Sequence, residues 1–238
     1  MTDADGPGKV LLFGSTGAIG GAVANQFRRH GWRVVAVTRN ASTGPDSLCW
    51  DPLASTDLAG GNAVCATGPF DAVCWAQGAN GNDSVYQFDR TQHESIYQAN
   101  VLYVLQSLHA LLTHQALNRP ARLCIVSSIW QNLARQNKLS YCVSKAALQG
   151  LVLSAATDLG RDGHLINAVL PGVIDTPMTR NNLNPTQISS VTAATQFGRL
   201  PALQDVANAV YSLCAPSNTG ITGQFVSVDL GYSHVRII

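Results

Sequence analysis

The sequence predicts an α/β protein with a doubly wound, mainly parallel sheet of seven strands and helices on both faces. Three observations predict this fold class. Short apolar runs alternate with longer stretches of helical periodicity along the whole chain. The first run leads at once into a glycine-rich turn at 14–20, and no linker composition divides the chain. We therefore expect a single domain over 1–238, with 1–8 as a loose tail.

The first strand and helix flank that glycine turn. Residues 10–13 are all apolar, which predicts a strand, and an apolar helical stripe begins at Ile19. Glycines let the backbone turn tightly and approach a pyrophosphate, which a helix N-terminus attracts through its free N–H groups and dipole. A strand, a glycine turn and a helix in this order are typical of a Rossmann-type dinucleotide site. A plain structural turn is the alternative.

The second predicted strand, 34–39, ends where the adenosine ribose of a bound dinucleotide would lie. An acidic residue at that end would hydrogen-bond the ribose 2′-hydroxyl of NAD, but Thr38 and Arg39 stand there. Arginine fits a 2′-phosphate through fork-like, charge-assisted hydrogen bonds. The sequence therefore predicts that NADP(H) is preferred over NAD(H). The alternative is a solvated arginine at a strand end.

The next stretch is predicted in less detail. A third strand at 48–51 would have Asp51 at its end, and 52–67 hold at best a short helix. A fourth strand at 70–76 runs into a second glycine turn, 77–81. Because parallel strands end at one edge of the sheet, both glycine turns are expected at the same edge.

Helical periodicity then extends over 92–117, with Asn100 in its interior. Asparagine is a poor helix former, so we expect its side chain to hydrogen-bond a neighbouring turn. A fifth strand at 122–127, a helix from Tyr141 and a sixth strand at 165–170 follow. These elements continue the strand and helix alternation.

The last part of the chain contains one long polar segment. Residues 176–200 carry prolines and are only weakly periodic, and a connection of that length is usually functional, so we expect a substrate lid. A helix at 203–214 and a seventh strand at 225–229 complete the fold.

Composition excludes several function classes. The net charge is +1 without a basic run, which disfavours nucleic acid and anionic membranes as partners. Apolar runs are shorter than a membrane span and the N-terminus lacks a secretion signal, so we expect a cytoplasmic protein. Only 12% of residues are charged, which indicates that sister subunits cover part of the surface in a homo-oligomer.

Three polar residues carry the expected chemistry. Tyr141 and Lys145 are four residues apart, so a helix over 141–159 places both side chains on one face. A nearby cation lowers the pKa of a tyrosine, which can then give a proton to a carbonyl oxygen or take one from an alcohol. Ser128 follows the apolar run 123–126, at the strand end where ligands bind in open α/β sheets. Surface decoration and a helix cap are the structural alternatives.

Together these residues resemble the short-chain dehydrogenase/reductase family in its compact single-domain form. The resemblance runs from about Lys9 to Tyr232. Besides the serine, tyrosine and lysine, it includes 167–178 (NAVLPGVIDTPM), similar to the family's segment after strand six, and 221–229 (ITGQFVSVD), similar to its C-terminal signature. The resemblance implies a tetramer or a dimer.

The resemblance also implies roles for particular residues. Tyr141 would be the acid/base, Lys145 would hold the nicotinamide ribose and lower the tyrosine pKa, and Ser128 would orient the substrate oxygen. Asn100 would help pass protons through a bound water, and no metal is implied. The remaining implied cofactor-binding residues are Gly14, Ser15, Thr16, Gly17, Ile19 and Gly20 at the turn, Thr38, Arg39, Asp51, Ala76 and Gly78 on the adenosine side, and Pro171, Ile174 and Thr176 at the nicotinamide.

Three features depart from the family pattern. The glycines at 14–20 have G-x-x-G-x-x-G spacing, where compact members commonly have G-x-x-x-G-x-G. The family's Asn-Asn-Ala-Gly after strand four is replaced by Trp75-Ala76-Gln77-Gly78, and 52–67 are short for the usual third helix. None of these departures touches the catalytic positions.

The leading prediction is an NADPH-dependent reductase of a ketone or ketoacyl carbonyl, or the reverse alcohol dehydrogenase. The glycine spacing suggests a nucleotide-sugar epimerase or dehydratase as one alternative, and a non-catalytic dinucleotide-binding sensor is the other. Residues 129–131 and the lid at 178–198 are expected to shape the substrate pocket. Their mix of aromatic and neutral polar groups selects no substrate.

Overall fold

The computed structural model describes residues 7–39, 46–54, 58–195 and 197–235. Its strands are β1 Lys9–Phe13, β2 Arg33–Thr38, β3 Ser47–Cys49, β4 Phe70–Trp75, β5 Leu117–Val126, β6 Leu165–Pro171 and β7 Phe225–Val228. Its longer helices are α1 Ala18–Arg29, α2 Leu58–Ala66, α3 Arg90–Tyr97, α4 Tyr103–Thr113, α5 Leu139–Leu159, α6 Pro177–Asn182, α7 Pro185–Ala193 and α8 Leu203–Cys214. Residues 1–6 of the tail that is predicted over 1–8 lie outside the described residues.

The seven strands form one sheet in the order β3-β2-β1-β4-β5-β6-β7, and all neighbouring pairs are parallel. The predicted fold class is therefore confirmed. The inner strands read as continuous apolar runs because helices cover both faces of the sheet. One core lies under α2, α4 and α5, and the other under α1 and α8. The strand order reverses beside β1, which opens a crevice at the carboxyl ends of β1 and β4.

The long helix predicted over 92–117 is interrupted. A π-helical turn, Gln98–Leu102, separates α3 from α4. The helix ends earlier than predicted because Gln115 has a left-handed φ of 52°, and the chain then pairs with β4 through Leu117. Side-chain periodicity alone did not show this end, since Ala116 and Leu117, which follow Gln115, are also apolar.

The segment predicted as a weakly periodic lid contains α6 and α7. Pro177 and Pro185 occupy the first helical turns, where a missing N–H costs nothing. Thr176 caps α6, and Asn184 caps α7 in a capping box with Gln187. The prolines therefore start helices. The function of this segment as a lid stays a prediction.

One helix among the described residues, Leu139–Asp162, is long and apolar enough to cross a membrane by length and composition. A core helix of a globular domain meets the same criteria. In this fold α5, which forms most of that helix, packs against β6 and α3. Part of this apolar helix is therefore buried within the domain.

Candidate active site

A cavity of about 150 Å³ opens at the carboxyl ends of the central strands. It brings together residues that lie far apart in the sequence. The predicted site residues that line it are Ile19, Ser128, Tyr141, Pro171, Ile174 and Thr176. The predicted catalytic hydroxyls and the predicted nicotinamide side therefore share one space.

Ser128 lies just beyond the end of β5. Its side chain is 6% exposed and accepts a hydrogen bond from Trp130 N at 3.3 Å, which makes it the N-cap of a short 3-10 turn. The structural alternative, in which this serine is a helix cap, is therefore confirmed. The same side chain lines the cavity together with Tyr141, so capping and a catalytic role are compatible.

Burial controls the ionisation of Tyr141. It raises the pKa of the phenol to about 12, because the phenolate loses solvation, and the hydrogen bond with Ser128 opposes this rise. Lys145 is not among the causes of this shift in the structure, so the predicted lowering of the tyrosine pKa by the lysine is not seen here. At neutral pH the phenol is therefore protonated, which is the form that donates a proton.

Lys145 lies on the same helix face as Tyr141, as the spacing predicts. Its Nζ lies 5.7 Å from the centroid of the Tyr141 ring and donates to Val126 O at 3.2 Å. The side chain is 4% exposed, and burial lowers the pKa of the ammonium to about 8. The chain thus holds a cation beside the tyrosine at a cost in stability.

We expect Lys145→Met to stabilise the fold in a pH-dependent way. Below pH 8 the folded protein carries the full cost of this buried charge, on the order of 3 kcal/mol. That cost shrinks as pH rises from about 8 towards 10.5, because the unfolded chain then binds more protons than the folded one. Methionine carries no charge, so its gain in the free energy of unfolding should be largest near pH 7.

Urea unfolding of both proteins between about pH 7 and 10 measures this gain. The other buried lysine, Lys138, titrates in both proteins and cancels in the difference. The range stops near pH 10, because above it the ionisation of Tyr141, whose folded-state pKa is raised, destabilises both proteins. A methionine variant that is less stable than the wild type at pH 7, or a gain independent of pH, would contradict the prediction.

Asn100 ties the second glycine turn to α5. Its Oδ1 accepts from Ala79 N at 2.7 Å, and its Nδ2 donates to Ala79 O at 3.0 Å and to Ser144 Oγ at 2.8 Å. Ser144 in turn donates to Tyr141 O at 2.8 Å. The predicted hydrogen bond to a neighbouring turn is therefore present. The π-helical turn directs this asparagine inward, and π-bulges often occur at functional sites.

Gly78 permits this arrangement. A Cβ at position 78 would lie 2.9 Å from Asn100 Oδ1 and 3.7 Å from Lys145 Nζ. Gly78 therefore lies against the proposed catalytic group, although it was predicted on the adenosine side. Its predicted contact with the cofactor stays a prediction.

The glycine turn after β1 is shaped by close backbone contacts. Gly14 has a φ of +78°, and a Cβ there would lie 2.5 Å from Gln77 N. A Cβ at Gly20 would lie 2.1 Å from Gly14 O, whereas one at Gly17 would lie 3.5 Å from that atom. Gly14 and Gly20 are thus required by packing. Gly17 is the exposed N-cap of α1, without a side-chain cap, and Ser15 and Thr16 complete the turn.

The residues that are predicted on the adenosine side include three around the ends of β2 and β3. Thr38 ends β2, Arg39 follows it with an exposed side chain, and Asp51 lies two residues beyond β3. Asp51 Oδ1 accepts from Leu53 N at 3.1 Å, so its turn-forming alternative also holds. Ala76 N donates to Phe13 O at 3.0 Å, which extends the β1–β4 pairing to the crevice.

The predicted nicotinamide side is formed by the chain after β6. Pro171 ends that strand, Ile174 is 5% exposed, and the Thr176 hydroxyl accepts from Thr179 N at 3.2 Å. Thr176 is therefore the helix cap of α6 as well as a lining residue of the cavity.

The start of α5 is held by a polar cluster from other elements. The Asp83 carboxylate accepts from Ser140 N at 3.0 Å and from the Ser140 hydroxyl. His93 Nδ1 lies 2.8 Å from Ser140 Oγ. Lys138, the N-cap residue, makes no side-chain cap bond, so Asp83 supplies the negative charge that favours a helix N-terminus. This cluster positions the helix turn that carries Tyr141.

A short-chain dehydrogenase/reductase profile described as enoyl-(acyl carrier protein) reductase matches residues 58–233, which is well over half of the chain. D-erythrulose reductase of Gallus gallus is 30% identical over 237 residues, covering 94% of this chain and 95% of that protein. The chain belongs to the short-chain dehydrogenase/reductase family. It is an oxidoreductase. Members of this family bind nicotinamide cofactors and act on small molecules.

Two further comparisons agree with this short-chain dehydrogenase/reductase assignment. A 3-oxoacyl-[acyl-carrier-protein] reductase of Rickettsia bellii is 27% identical over 236 residues, covering 93% of this chain and 95% of that protein. The structure of an aldohexose dehydrogenase of Thermoplasma acidophilum superposes with a TM-score of 0.87 at 23% identity, covering 97% of this chain and 95% of that one. That likeness shows the fold.

The residues of this oxidoreductase fit a nicotinamide dinucleotide. The only contact of a Cβ at Gly17 within 4 Å would be Gly14 O, so the turn presents a bare backbone beside the uncapped start of α1. Such a helix start binds a pyrophosphate through its N–H groups and dipole. Gln77 Oε1, beside this turn, is buried without a hydrogen-bond partner in the described part of the chain. Gln77 is therefore a further candidate cofactor contact that sequence reasoning missed.

Sequence reasoning also missed part of the cavity wall of this dehydrogenase. Of 129–131, Trp130 lines the cavity, whereas Ile129 is packed in the core and the Gln131 side chain accepts from Ser127 Oγ at 2.9 Å. The lining residues that were not predicted include Asn80, Arg135 and Lys138, whereas Thr179 and Leu183 belong to the segment 178–198 that was expected to shape the pocket. Only nearness along the chain could have indicated two of them, because Arg135 and Lys138 lie six and three residues before the predicted acid/base.

Proposed function

We propose that this chain is an NADP(H)-dependent oxidoreductase that reduces a ketone or ketoacyl carbonyl to a secondary alcohol, or catalyses the reverse reaction. The observation that carries the proposal is that the side chains of Ser128 and Tyr141 lie close together and line one cavity with Ile174 and Thr176. Lys145 lies behind the tyrosine ring. A cavity at the carboxyl ends of the central strands that brings these groups together supports carbonyl reduction.

The chain's own residues would act on the carbonyl oxygen. When bound, the reduced nicotinamide supplies the hydride to the carbonyl carbon and is itself oxidised. The hydroxyls of Ser128 and Tyr141 donate hydrogen bonds to the carbonyl oxygen and stabilise its developing negative charge. Tyr141 passes its proton to that oxygen, and the Lys145 ammonium favours the phenolate that remains. Holding both reactants in one cavity supplies proximity.

Asn100 would serve this reaction as a proton path and as a positioning residue. Its hydrogen bonds to Ala79 and Ser144 fix the helix turn of Tyr141 relative to the second glycine turn. α6 and α7 would form the substrate lid, since Thr179 and Leu183 line the cavity from that side. Exposed apolar side chains on α4 and α5, Leu105, Val143 and Leu153, support a homo-oligomer.

NADP(H) preference is proposed to depend on Arg39, which is exposed at the end of β2. We expect Arg39→Gln to weaken NADPH binding by about tenfold to a hundredfold, because a charged fork on the 2′-phosphate is lost. NADH binding should change little. Fluorescence titrations of both cofactors measure the effect.

Arg33→Gln is the matched control for this prediction. Arg33 begins the same strand, and its guanidinium lies 3.0 Å from Asp46 Oδ1, with an exposed side chain. The variant Arg33→Gln removes the same charge at the opposite end of β2, so the affinity for either cofactor should change little. An equal loss of NADPH and NADH affinity in Arg39→Gln would show that Arg39 does not read the 2′-phosphate.

The proposed activity is tested by following nicotinamide absorbance with a panel of ketones, ketoacyl thioesters and sterols, each with NADPH and with NADH. We expect oxidation of NADPH with at least one carbonyl compound, and the reverse reaction with the matching alcohol. Tight NADPH binding without turnover on any member would favour the dinucleotide-binding sensor. Interconversion of a nucleotide sugar without net cofactor oxidation would favour the epimerase.

A further inference from the structure

Gln77 lies beside the crevice where the strand order reverses. It follows the end of β4 by two residues, and a Cβ at Gly14, which directly follows β1, would lie 2.5 Å from its backbone N. Open α/β sheets bind their ligands at this point. In the family pattern Asn-Asn-Ala-Gly an alanine stands at this position, so the amide side chain is a departure from that pattern.

The amide oxygen of this side chain has no partner of its own. In the part of the chain that the structure describes, Gln77 Oε1 is shielded from solvent and accepts no hydrogen bond. The residue as a whole is only half-buried. An acceptor that is buried and left unsatisfied loses its bonds to water without gaining others, which is unfavourable for folding. The side chain of Gln77 therefore lowers the stability of the protein alone.

The backbone on both sides of Gln77 is held in place by its neighbours. Ala76 N donates to Phe13 O at 3.0 Å, which ties this end of the chain to β1. On the other side, a Cβ at Gly78 would lie 2.9 Å from Asn100 Oδ1, so the second glycine turn packs closely against that asparagine. The Gln77 side chain can turn about its own rotatable bonds while the backbone stays where it is.

A purely structural role does not explain this glutamine. A structural glutamine ties two segments together through its amide, as Gln131 does when its Oε1 accepts from Ser127 Oγ at 2.9 Å. Gln77 Oε1 makes no such bond among the described residues, and an apolar side chain of equal length would fill the same space without the unfavourable burial. A polar group kept at a cost beside a ligand crevice is explained when the ligand satisfies it.

We propose that the side chain of Gln77 turns into the crevice when the dinucleotide binds, and that its Oε1 then accepts a hydrogen bond from a ribose hydroxyl. An amide oxygen can only accept, and so can the oxygens of a pyrophosphate, so the partner on that part of the cofactor is a hydroxyl of one of the two adjoining riboses. This inference rests on the dinucleotide site of the proposed function. It adds a residue that binds the cofactor and destabilises the protein without it.

The test measures the melting temperature Tm and the NADP⁺ affinity of Gln77→Met, in which an unbranched apolar side chain replaces the amide. Without NADP⁺, we expect Tm to rise by about 2 °C or more, because the unsatisfied acceptor is gone. We expect the Kd for NADP⁺ to rise by about fivefold to tenfold, because the bond to the ribose is lost. Saturating NADP⁺ should therefore raise Tm less in the variant than in the wild type.

Ser47→Ala is the matched control. Ser47 Oγ is also buried without a hydrogen-bond partner in the described part of the chain, but Ser47 begins β3, away from the carboxyl edge of the sheet. Its replacement should raise Tm and leave the NADP⁺ affinity unchanged. Gln77→Leu is the second apolar variant and should repeat the result of Gln77→Met. A Gln77→Met protein that melts below the wild type, or that binds NADP⁺ as tightly as the wild type, overturns the inference.

Calorimetric titrations with the two halves of the cofactor identify the ribose. Adenosine 2′,5′-bisphosphate carries the adenosine ribose, and nicotinamide mononucleotide carries the other one. A loss of affinity for one half in Gln77→Met assigns the hydroxyl to that ribose, and unchanged affinities for both halves overturn the inference.

These binding measurements also separate the inference from the proposed function. Weaker NADP⁺ binding by Gln77→Met supports the inference even if no ketone is reduced. Reduction of a ketone by the wild type together with unchanged NADP⁺ affinity in Gln77→Met overturns the inference and leaves the proposed function standing. A wild-type protein that binds neither NADP⁺ nor NAD⁺ would overturn both.

Discussion

Replacing Tyr141 with phenylalanine is expected to lower kcat by about a thousandfold, with less than about a twofold change in NADPH affinity. The variant keeps the ring and its packing but removes the hydroxyl of a residue that lines the cavity with Ser128. That hydroxyl is the proposed proton donor, and burial keeps it protonated at neutral pH. Ser128 would remain as a hydrogen-bond donor, so substrate binding should weaken far less than turnover. Stopped-flow turnover and a fluorescence titration measure the two quantities separately.

Tyr211→Phe is the matched control for this variant. Tyr211 belongs to α8, stacks on His30 with ring centroids 4.0 Å apart, and lies outside the cavity lining. Its loss of one phenol hydroxyl should leave kcat unchanged. If Tyr141→Phe turned over as fast as the wild type, the proposed proton donor would be wrong. A parallel loss of NADPH affinity would instead indicate that the hydroxyl supports the fold of the site.

The fold class could be predicted because the inner strands are buried on both faces and therefore read as mainly apolar runs. Element ends were less accessible to sequence reasoning. The end of α4 depends on the left-handed backbone at Gln115, and the following apolar residues suit a helix or a strand equally. Pro177 and Pro185 likewise indicate a broken segment, although both begin helices whose caps are formed by the preceding residues.

The site was predictable where one helix or one strand end sets the geometry. Tyr141 and Lys145 share a face of α5, and Ser128 follows β5, so local spacing predicts their meeting at the sheet edge. The presence of Lys138 in the cavity wall was not predictable, because it depends on how Asp83, Asn80 and Gly81 hold the chain at the start of α5. The ionisation of Tyr141 was also missed. The four-residue spacing indicates that a cation lies near Tyr141. It gives no information about burial, which has the largest effect on the pKa of this tyrosine.

The glycine spacing leads to the second large effect. We expect Gly20→Ala to lower the free energy of unfolding by at least about 3 kcal/mol and to abolish measurable NADPH binding. The added Cβ would lie 2.1 Å from Gly14 O, 2.7 Å from Gly14 C and 3.0 Å from Ser15 Cα. All three are backbone atoms, so no rotamer change relieves the overlap. The first turn of α1 must move away from the glycine turn, and the amides proposed for the pyrophosphate move with it.

Two alanine variants separate packing from binding. Gly17→Ala adds a methyl whose nearest neighbour, Gly14 O, is 3.5 Å away, so stability should be kept while NADPH affinity falls. Gly150→Ala has no atom within 4 Å in α5 and should stabilise the helix by about 1 kcal/mol without affecting the cofactor. Urea unfolding and NADPH titration of the three variants give the comparison. If Gly20→Ala were as stable as Gly17→Ala, the third glycine of the G-x-x-G-x-x-G turn would not be required by packing, and the proposed contact surface for the pyrophosphate would have to lie elsewhere.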